Sequence, residues 1–351
     1  AFTAYVANST FFNNVAKTTF MYGDALGGAI HSEESLKVAH SEFKYNKAWT
    51  HSTNAWGGAI AAYAQTNMFN ISLIENSAGS PGDLGSGSGG SLYLDLRDNL
   101  SSLENIRILG SNASYGGGLY VRGTHAQQLS WNNVLISGNL AFIAGGGVAF
   151  LPAKWAGGVI QSLCPTCTVR DNNAWYYGIN LIAPYMSIVG NTSAVVNPGL
   201  PFTTTFEILD YAQNIVKDSG VVMVLAPPSN VLFQSGAPQN TKYLDAFDGT
   251  IVWNDMTVWG PSGSRFGLNF TIDHYKPDFG TTWIRLNVEY VLTTCPAGFR
   301  MEHSSSYPAC QICLAGLYSF HSSECTPCPD DASCIVQEEV LDPFVYTLSP
   351  G

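Results

Sequence analysis

Only a few residues in this chain have types and spacings that could do chemistry. Asp95, Arg97 and Asp98 form the tightest charged cluster of the first half. Paired carboxylates with a basic neighbour are what glycoside hydrolysis or polysaccharide elimination requires. These three stand at an expected strand end beside the sequon Asn99-Leu100-Ser101, and the other acids of this half, among them Asp24, Glu42, Glu75, Glu104 and Asp171, form no pair across a groove. His31, Glu33 and Glu34 recur in no other copy of the repeat described below and read as a solvated corner. Asp210, Asp245, Asp248 and Asp255 are candidate calcium ligands, but their spacing matches no loop motif and they read as turn caps. Nucleophile elbow, phosphate loop and HExxH motifs are all missing from the sequence. We therefore assign no catalytic residue, metal or cofactor. Trp56, Trp131, Trp155 and Trp175 have the side chain that stacks on sugar rings, although filling corners of a solenoid is the commoner use of such residues.

Cysteine offers two further chemistries. Cys164-Pro165-Thr166-Cys167 has redox spacing but precedes an expected strand rather than a helix, so a local structural disulfide is the better reading. Cys310-x2-Cys313-x11-Cys325-x2-Cys328 would suit tetrahedral zinc. Together with Cys295 and Cys334 the set is even, and it lies in a chain carrying the sequons Asn8, Asn70, Asn99, Asn112, Asn191 and Asn269. That company favours disulfides and a secretory route. Asn112 doubles as a repeat position, which makes it the weakest glycan acceptor of the set.

Charged residues make up 12% of the 351-residue chain, against roughly a quarter in ordinary soluble domains. The net charge of -11 leaves no basic surface to neutralise phosphates, which excludes nucleic acid as a partner. The longest apolar runs fall short of a membrane span. The chain opens at Ala1 with a repeat under way almost at once, so a segment of something larger is expected, with any membrane attachment through a region outside it.

The elements that must position these residues are announced by a repeat. One marker is an apolar residue followed three positions later by Asn and then, after one more residue, by a small one. It places Asn14, Asn46, Asn76, Asn112, Asn139 and Asn172 at intervals of 32, 30, 36, 27 and 33 residues. The other is a glycine pair running into apolar residues, with Gly28, Gly58, Gly90, Gly117 and Gly146, and a degenerate last copy at Gly178. A period near 30 with short apolar runs and no helical spacing predicts a parallel β-solenoid over residues 1–183. Gly would serve corners where a Cβ clashes, Asn would stack its amides from rung to rung, and the rod would be about 30–50 Å long. Gly27-Gly28-Ala29-Ile30 and Gly57-Gly58-Ala59-Ile60, with Phe11-x-x-Asn14 and Phe43-x-x-Asn46, resemble the GGAI and FxxN tetrapeptides of the chlamydial polymorphic outer-membrane proteins. That resemblance implies a right-handed parallel β-helix used in adhesion or surface display, and no enzyme.

Residues 184–294 read as an antiparallel β-sandwich, with strands expected at Thr203–Leu209, Gly220–Leu225, Gly249–Trp253, Met256–Trp259, Phe266–Ile272 and Trp283–Val291. Asp210-x-x-x-Asn214-x-Val216 resembles a segment of Ig-like surface domains. Residues 295–351 form a cysteine-rich module, and Cys310-x-x-Cys313-x-x-Gly316-x-Tyr318 with Cys325-x-x-Cys328-Pro329 resembles ephrin-receptor-like repeats. Sequential pairing is expected: Cys295–Cys310, Cys313–Cys325 and Cys328–Cys334. The order of these modules resembles the ectodomains of large protist and algal surface proteins. It leads to the expectation of a non-enzymatic structural or adhesive glycoprotein, assembling with copies of itself or with other surface and matrix proteins into a filament, sheath or flagellar hair. A carbohydrate-binding ectodomain is the alternative, and a polysaccharide lyase or hydrolase a more distant one.

Overall fold

The computed structural model describes residues 3–19, 23–51, 53–79, 87–96, 100–125, 129–154, 166–183, 185–190, 193–210, 212–217, 221–226, 232–234, 241–244, 248–274, 284–302, 308–319 and 324–329. Among them every regular element is a strand, and there is no helix that could cross a membrane.

The first part is a parallel β-solenoid with three faces. On the long face Thr3–Ala7, Ser35–Lys44, Thr66–Ile74, Ser101–Leu109, Leu129–Ser137 and Thr168–Arg170 stack in chain order, all parallel. Each long strand changes phase halfway. In Ser35–Lys44 the buried residues are Leu36 and Val38, then Ser41 and Phe43. Strict alternation would have buried position 40. His40 instead takes a left-handed backbone, φ 49°, and the same corner recurs at Asn8, Asn70, Asn105 and Asn133 with φ between 50° and 55°. One residue in that conformation flips the side-chain alternation, and Asn and His tolerate it better than β-branched residues do.

The face that closes each turn is a six-stranded sheet of Ile30–Ser32, Ile60–Ala62, Leu92–Asp95, Leu119–His125, Val148–Lys154 and Leu181–Ile182. At about 4.8 Å per rung it spans about 25 Å from first strand to last, so the solenoid is shorter than expected. Each repeat winds into a single rung. The glycine pair sits just before each of these strands. Its first member has positive φ, as at Gly57 (φ 61°). A Cβ on its second member would strike the neighbouring column: Gly28 the carbonyl of Gly58, Gly58 that of Gly90, and Gly146 that of Ile179. Gly178 (φ 65°) aligns with the first member of the pair, not the second. Ile179 stands where the second glycine would be and tolerates a side chain, since no further rung of this sheet follows.

The repeat is one residue out of step with its expected form in a single copy. Ile108 pairs with Leu73 on one side and Ile136 on the other, and all three are fully buried. The fourth marker is therefore Ile108-x-x-Ser111, and Asn112 lies outside the column to which the spacing assigned it.

Beyond Ile182 the pairing becomes mainly antiparallel. Tyr185–Gly190, Phe202–Asp210, Thr250–Trp259 and Leu232–Gln234 form one sheet; Ser193–Val196, Arg285–Leu292, Arg265–His274, Val221–Ala226 and Thr241–Tyr243 form the other. Their inner faces meet at Phe206 and Phe270, whose ring centroids are 4.4 Å apart. The two strands expected at Gly249–Trp253 and Met256–Trp259 are one, because Asp255 (φ 56°) bends the chain without ending the ladder. The last described part is held by Cys295–Cys310 and Cys313–Cys325, with Cα separations of 5.4 and 5.7 Å. Backbone bonds from Cys310 N–H to the Pro198 carbonyl and from Gly260 N–H to that of Pro308 tie it to the sandwich.

Candidate functional site: two unequal ends and an aromatic groove

The repeated asparagines form one continuous polar column inside the solenoid. Backbone N–H and side-chain Nδ2 of Asn14 both donate to Asn46 Oδ1, at 3.0 and 2.8 Å, and Asn46 donates in the same way to Asn76 Oδ1. Asn139 repeats the pattern onto Asn172, and Asn172 onto Asn180. The break between Asn76 and Asn139 is spliced by two hydroxyls. Asn76 N–H donates to Ser111 Oγ, Asn76 Nδ2 to Ser91 Oγ, and the two hydroxyls lie 2.7 Å apart. Ser111 N–H then donates to Asn139 Oδ1. Asn46, Asn76, Ser91, Ser111 and Asn139 are buried, so each polar group in this column depends on its neighbours for a partner.

The column ends differently on its two sides. At the C-terminal end Asn180, from the same last turn as Asn172, folds in to accept its two donors. Asp210 and Asn214 then close the outer edge of the final strand. Asp210 Oδ2 accepts from Ala183 N–H, and Asn214 Nδ2 donates to the Leu181 carbonyl. Asp210 also accepts from the N–H groups of Ala212 and Asn214 and from Asn214 Nδ2. Burial pushes its carboxyl above the usual carboxylate range, and these donors pull part of the way back. Val216, the last residue of the Asp210-x-x-x-Asn214-x-Val216 segment, is fully buried.

The N-terminal end has no such closure among the described residues. Among the described residues Asn14 Oδ1 accepts no hydrogen bond, whereas the equivalent atom of Asn46 or Asn139 takes one or two from the rung before it. Phe11 stacks flat on the buried Phe43, 4.7 Å away, and exposes its other side. Tyr5, Phe12 and Val15 on the same rung are 69%, 62% and 54% exposed.

A groove runs along the solenoid where its second and closing faces meet. Ile60 and Ala62, Leu92 and Leu94, and Leu119 and Val121 face the core, so the residues between them face outward. Yet Ala61, Tyr93 and Tyr120 are almost fully buried. The reason is a concave bend. The outward column Leu26, Trp56, Ser88, Tyr115, Ala144 on one wall faces the outward column His31, Ala61, Tyr93, Tyr120, Ala149 on the other. Trp56 reaches across to Tyr93 (4.7 Å), and Tyr93 stacks on Tyr120 (5.4 Å) and meets Tyr63 (5.4 Å). Toward the N-terminal end the groove opens, and Leu26, Trp56 and Tyr63 are only partly covered. Its rim is acidic: Asp24 accepts from Trp56 Nε1 at 3.2 Å, Glu33 contacts His31 at 3.2 Å, and Asp95 pairs in register with Arg122. Burial, then Glu33, Asp24 and Asp95, push the Tyr63 hydroxyl well above its usual range, so it keeps its proton at neutral pH.

The other expected residues scatter. Asn8 and Asn70 are exposed on the left-handed corner, and Asn269 is exposed on the sandwich. Asn112 is half-buried in a strand whose next residues, Ala113 and Ser114, are buried. Asn99, Asn191, Arg97, Asp98, Asp245, Trp155, Cys164 and Cys334 lie outside the described residues. Cys167 and Cys328 are disulfide-bonded, and with Cys310, Cys313 and Cys325 bridged the zinc arrangement lacks its thiolates. Asp248 caps Thr250, whose hydroxyl and N–H lower its carboxyl pKa. Trp131 packs inside against Phe150, and Trp175 stands on the surface against the edge of Phe142. Neither the corner column nor the groove was named from sequence. The signal for the first was there, since positions 8, 40, 70, 105 and 133 share the spacing of the buried column.

No protein-family model, curated protein or solved structure matches this chain.

Proposed function

We propose that this chain is a non-enzymatic structural or adhesive segment of a large extracellular surface glycoprotein, with a right-handed solenoid and an Ig-like sandwich. One observation carries the reading: the polar residues that recur from turn to turn are spent on holding rungs together, and the column they form is closed at its C-terminal end by Asn180. A column of that kind makes a stiff element with a direction. The first described rung carries the same marker as those that follow, with Phe11 stacked on Phe43 and Asn14 bonded to Asn46, so it is built to meet a further parallel rung. Asp210, Asn214 and Asn180 block the same contact at the other end. A heterologous contact between such rods builds a filament or sheath if it does not close on itself. The disulfides Cys295–Cys310 and Cys313–Cys325 fit an oxidising compartment.

Negative-stain electron microscopy of native, full-length material tests this. Regular fibres with an axial repeat are expected. Monodisperse short rods in the native material would overturn the assembly reading.

A further inference from the structure

The rungs are joined by three ladders and the buried amide column, and the inner rings of the groove belong to the buried cluster that continues into the sandwich. The inner part of the groove, around Tyr93 and Tyr120, is packed with its own rings and nearly closed, at 1% and 2% exposure. Its outer part is different in kind. There Trp56 on one wall and Tyr63 on the other lean on the same ring, Tyr93, at 4.7 and 5.4 Å. Ala61, in register with Tyr93, is fully covered. Both rings are anchored from behind, and both remain partly open.

Around this platform stand the carboxylates of Asp24, Glu33 and Asp95 and the hydroxyl of Tyr63, with Arg122 the neighbouring cation. Flat apolar faces flanked by hydrogen-bond acceptors suit a ligand that has apolar C–H faces and a perimeter of hydroxyl donors. That is the surface of a sugar ring. The excess of carboxylates on the rim, in a chain of net charge -11, repels uronates and sulfated sugars. The groove follows the solenoid axis, so it takes an extended chain rather than a single compact ligand.

We propose that the N-terminal part of this groove binds a segment of uncharged polysaccharide, stacked on Trp56 and Tyr63 and held through its hydroxyls by Asp24, Glu33 and Asp95. The site lies on the side of the rod, along its axis. A surface scaffold with such a site would be fastened laterally to a neutral glycan matrix.

Affinity electrophoresis of the full chain through gels containing a soluble β-glucan, a mannan, a xylan or polygalacturonate provides the test, with titration calorimetry for any polymer that retards it. Retardation by at least one neutral polymer and none by polygalacturonate is expected. Trp56→Ala and Tyr63→Ser should each weaken binding by about tenfold, the loss of one stacking face. Trp56→Phe, which keeps a ring, should retain most of it. Trp175→Ala, an exposed tryptophan of the last turn outside the ring cluster, should change nothing. Should Trp56→Ala fail to fold, Tyr63→Ser and Glu33→Gln at the partly open rim carry the same expectation. The proposal is overturned if no neutral polymer retards the chain, if polygalacturonate binds equally well, or if Trp175→Ala costs as much as the groove variants.

Discussion

Replacing Asn139 with alanine distinguishes the buried column from the apparent repeat more sharply than any other change. Asn139 Oδ1 takes the Ser111 N–H at 2.9 Å, and its Nδ2 donates to the Ile108 carbonyl at 3.1 Å and to Asn172 Oδ1 at 2.9 Å. Asn139→Ala takes the side-chain partner from the Ser111 N–H and the Ile108 carbonyl, while Asn172 Oδ1 keeps the backbone N–H of residue 139. Each unsatisfied group costs about 1–3 kcal/mol, and partial relaxation brings the total to about 2–4 kcal/mol. Asn112→Ala removes the same side chain from a half-buried strand position that takes no part in the column, and its cost should stay within about 0.5 kcal/mol. Because a chain of several modules is unlikely to unfold in one step, the assay should be local. Hydrogen exchange of peptides covering residues 101–150 should accelerate by about a hundredfold or more in Asn139→Ala and hardly at all in Asn112→Ala. Equal acceleration, or a larger one in Asn112→Ala, would refute the register placed at Ser111.

Gly58→Ala should cost about 3 kcal/mol, since its Cβ meets the Gly90 carbonyl and the Ser77 backbone. Ile179→Gly, at the equivalent position of the last rung, should cost no more than about 1 kcal/mol, and thermal unfolding compares the two. Asp210 gives a pH signature. Its folded pKa is raised, so its contribution to stability is full below the ordinary carboxylate pKa and is lost as pH rises through the folded value. Asp210→Asn cannot titrate, and its stability deficit against the parent should therefore widen as pH falls from about 7 to about 4. Unfolding curves across that range check the sign. A deficit that narrows on acidification would mean that the N–H donors outweigh burial.

Much of the architecture was legible in the sequence because a repeat writes the same physical demand several times. Phe43, Leu73 and Ile136 each precede an asparagine by three residues, and each asparagine needs the next. The glycine pairs were equally readable, since a Cβ in that column has nowhere to go. The fourth copy misled because an asparagine happens to stand at position 112. Nothing in the string shows that Ser91, twenty residues earlier than Ser111, supplies a second hydroxyl so that two short side chains span what one amide does elsewhere. The continuous strand through Asp255 was hidden for a related reason, as a polar pair looks like a turn until its backbone is seen to bend without leaving the ladder.

The sequence by itself determined the period, the parallel stacking and the residues that tie one rung to the next, because those depend on like meeting like at a fixed interval. Only the tertiary structure decided the groove, the closure of the column at its C-terminal end and the exposure of each ring. Tyr93 and Leu92 are neighbours in an apolar run, and which of them faces the core or the concave bend follows from the turn of the chain at the preceding glycines. Asp210 meets Ala183 across 27 residues, a contact that no periodicity encodes. Local spacing sets what repeats; where the repeat stops, and what covers it, depends on how distant segments pack.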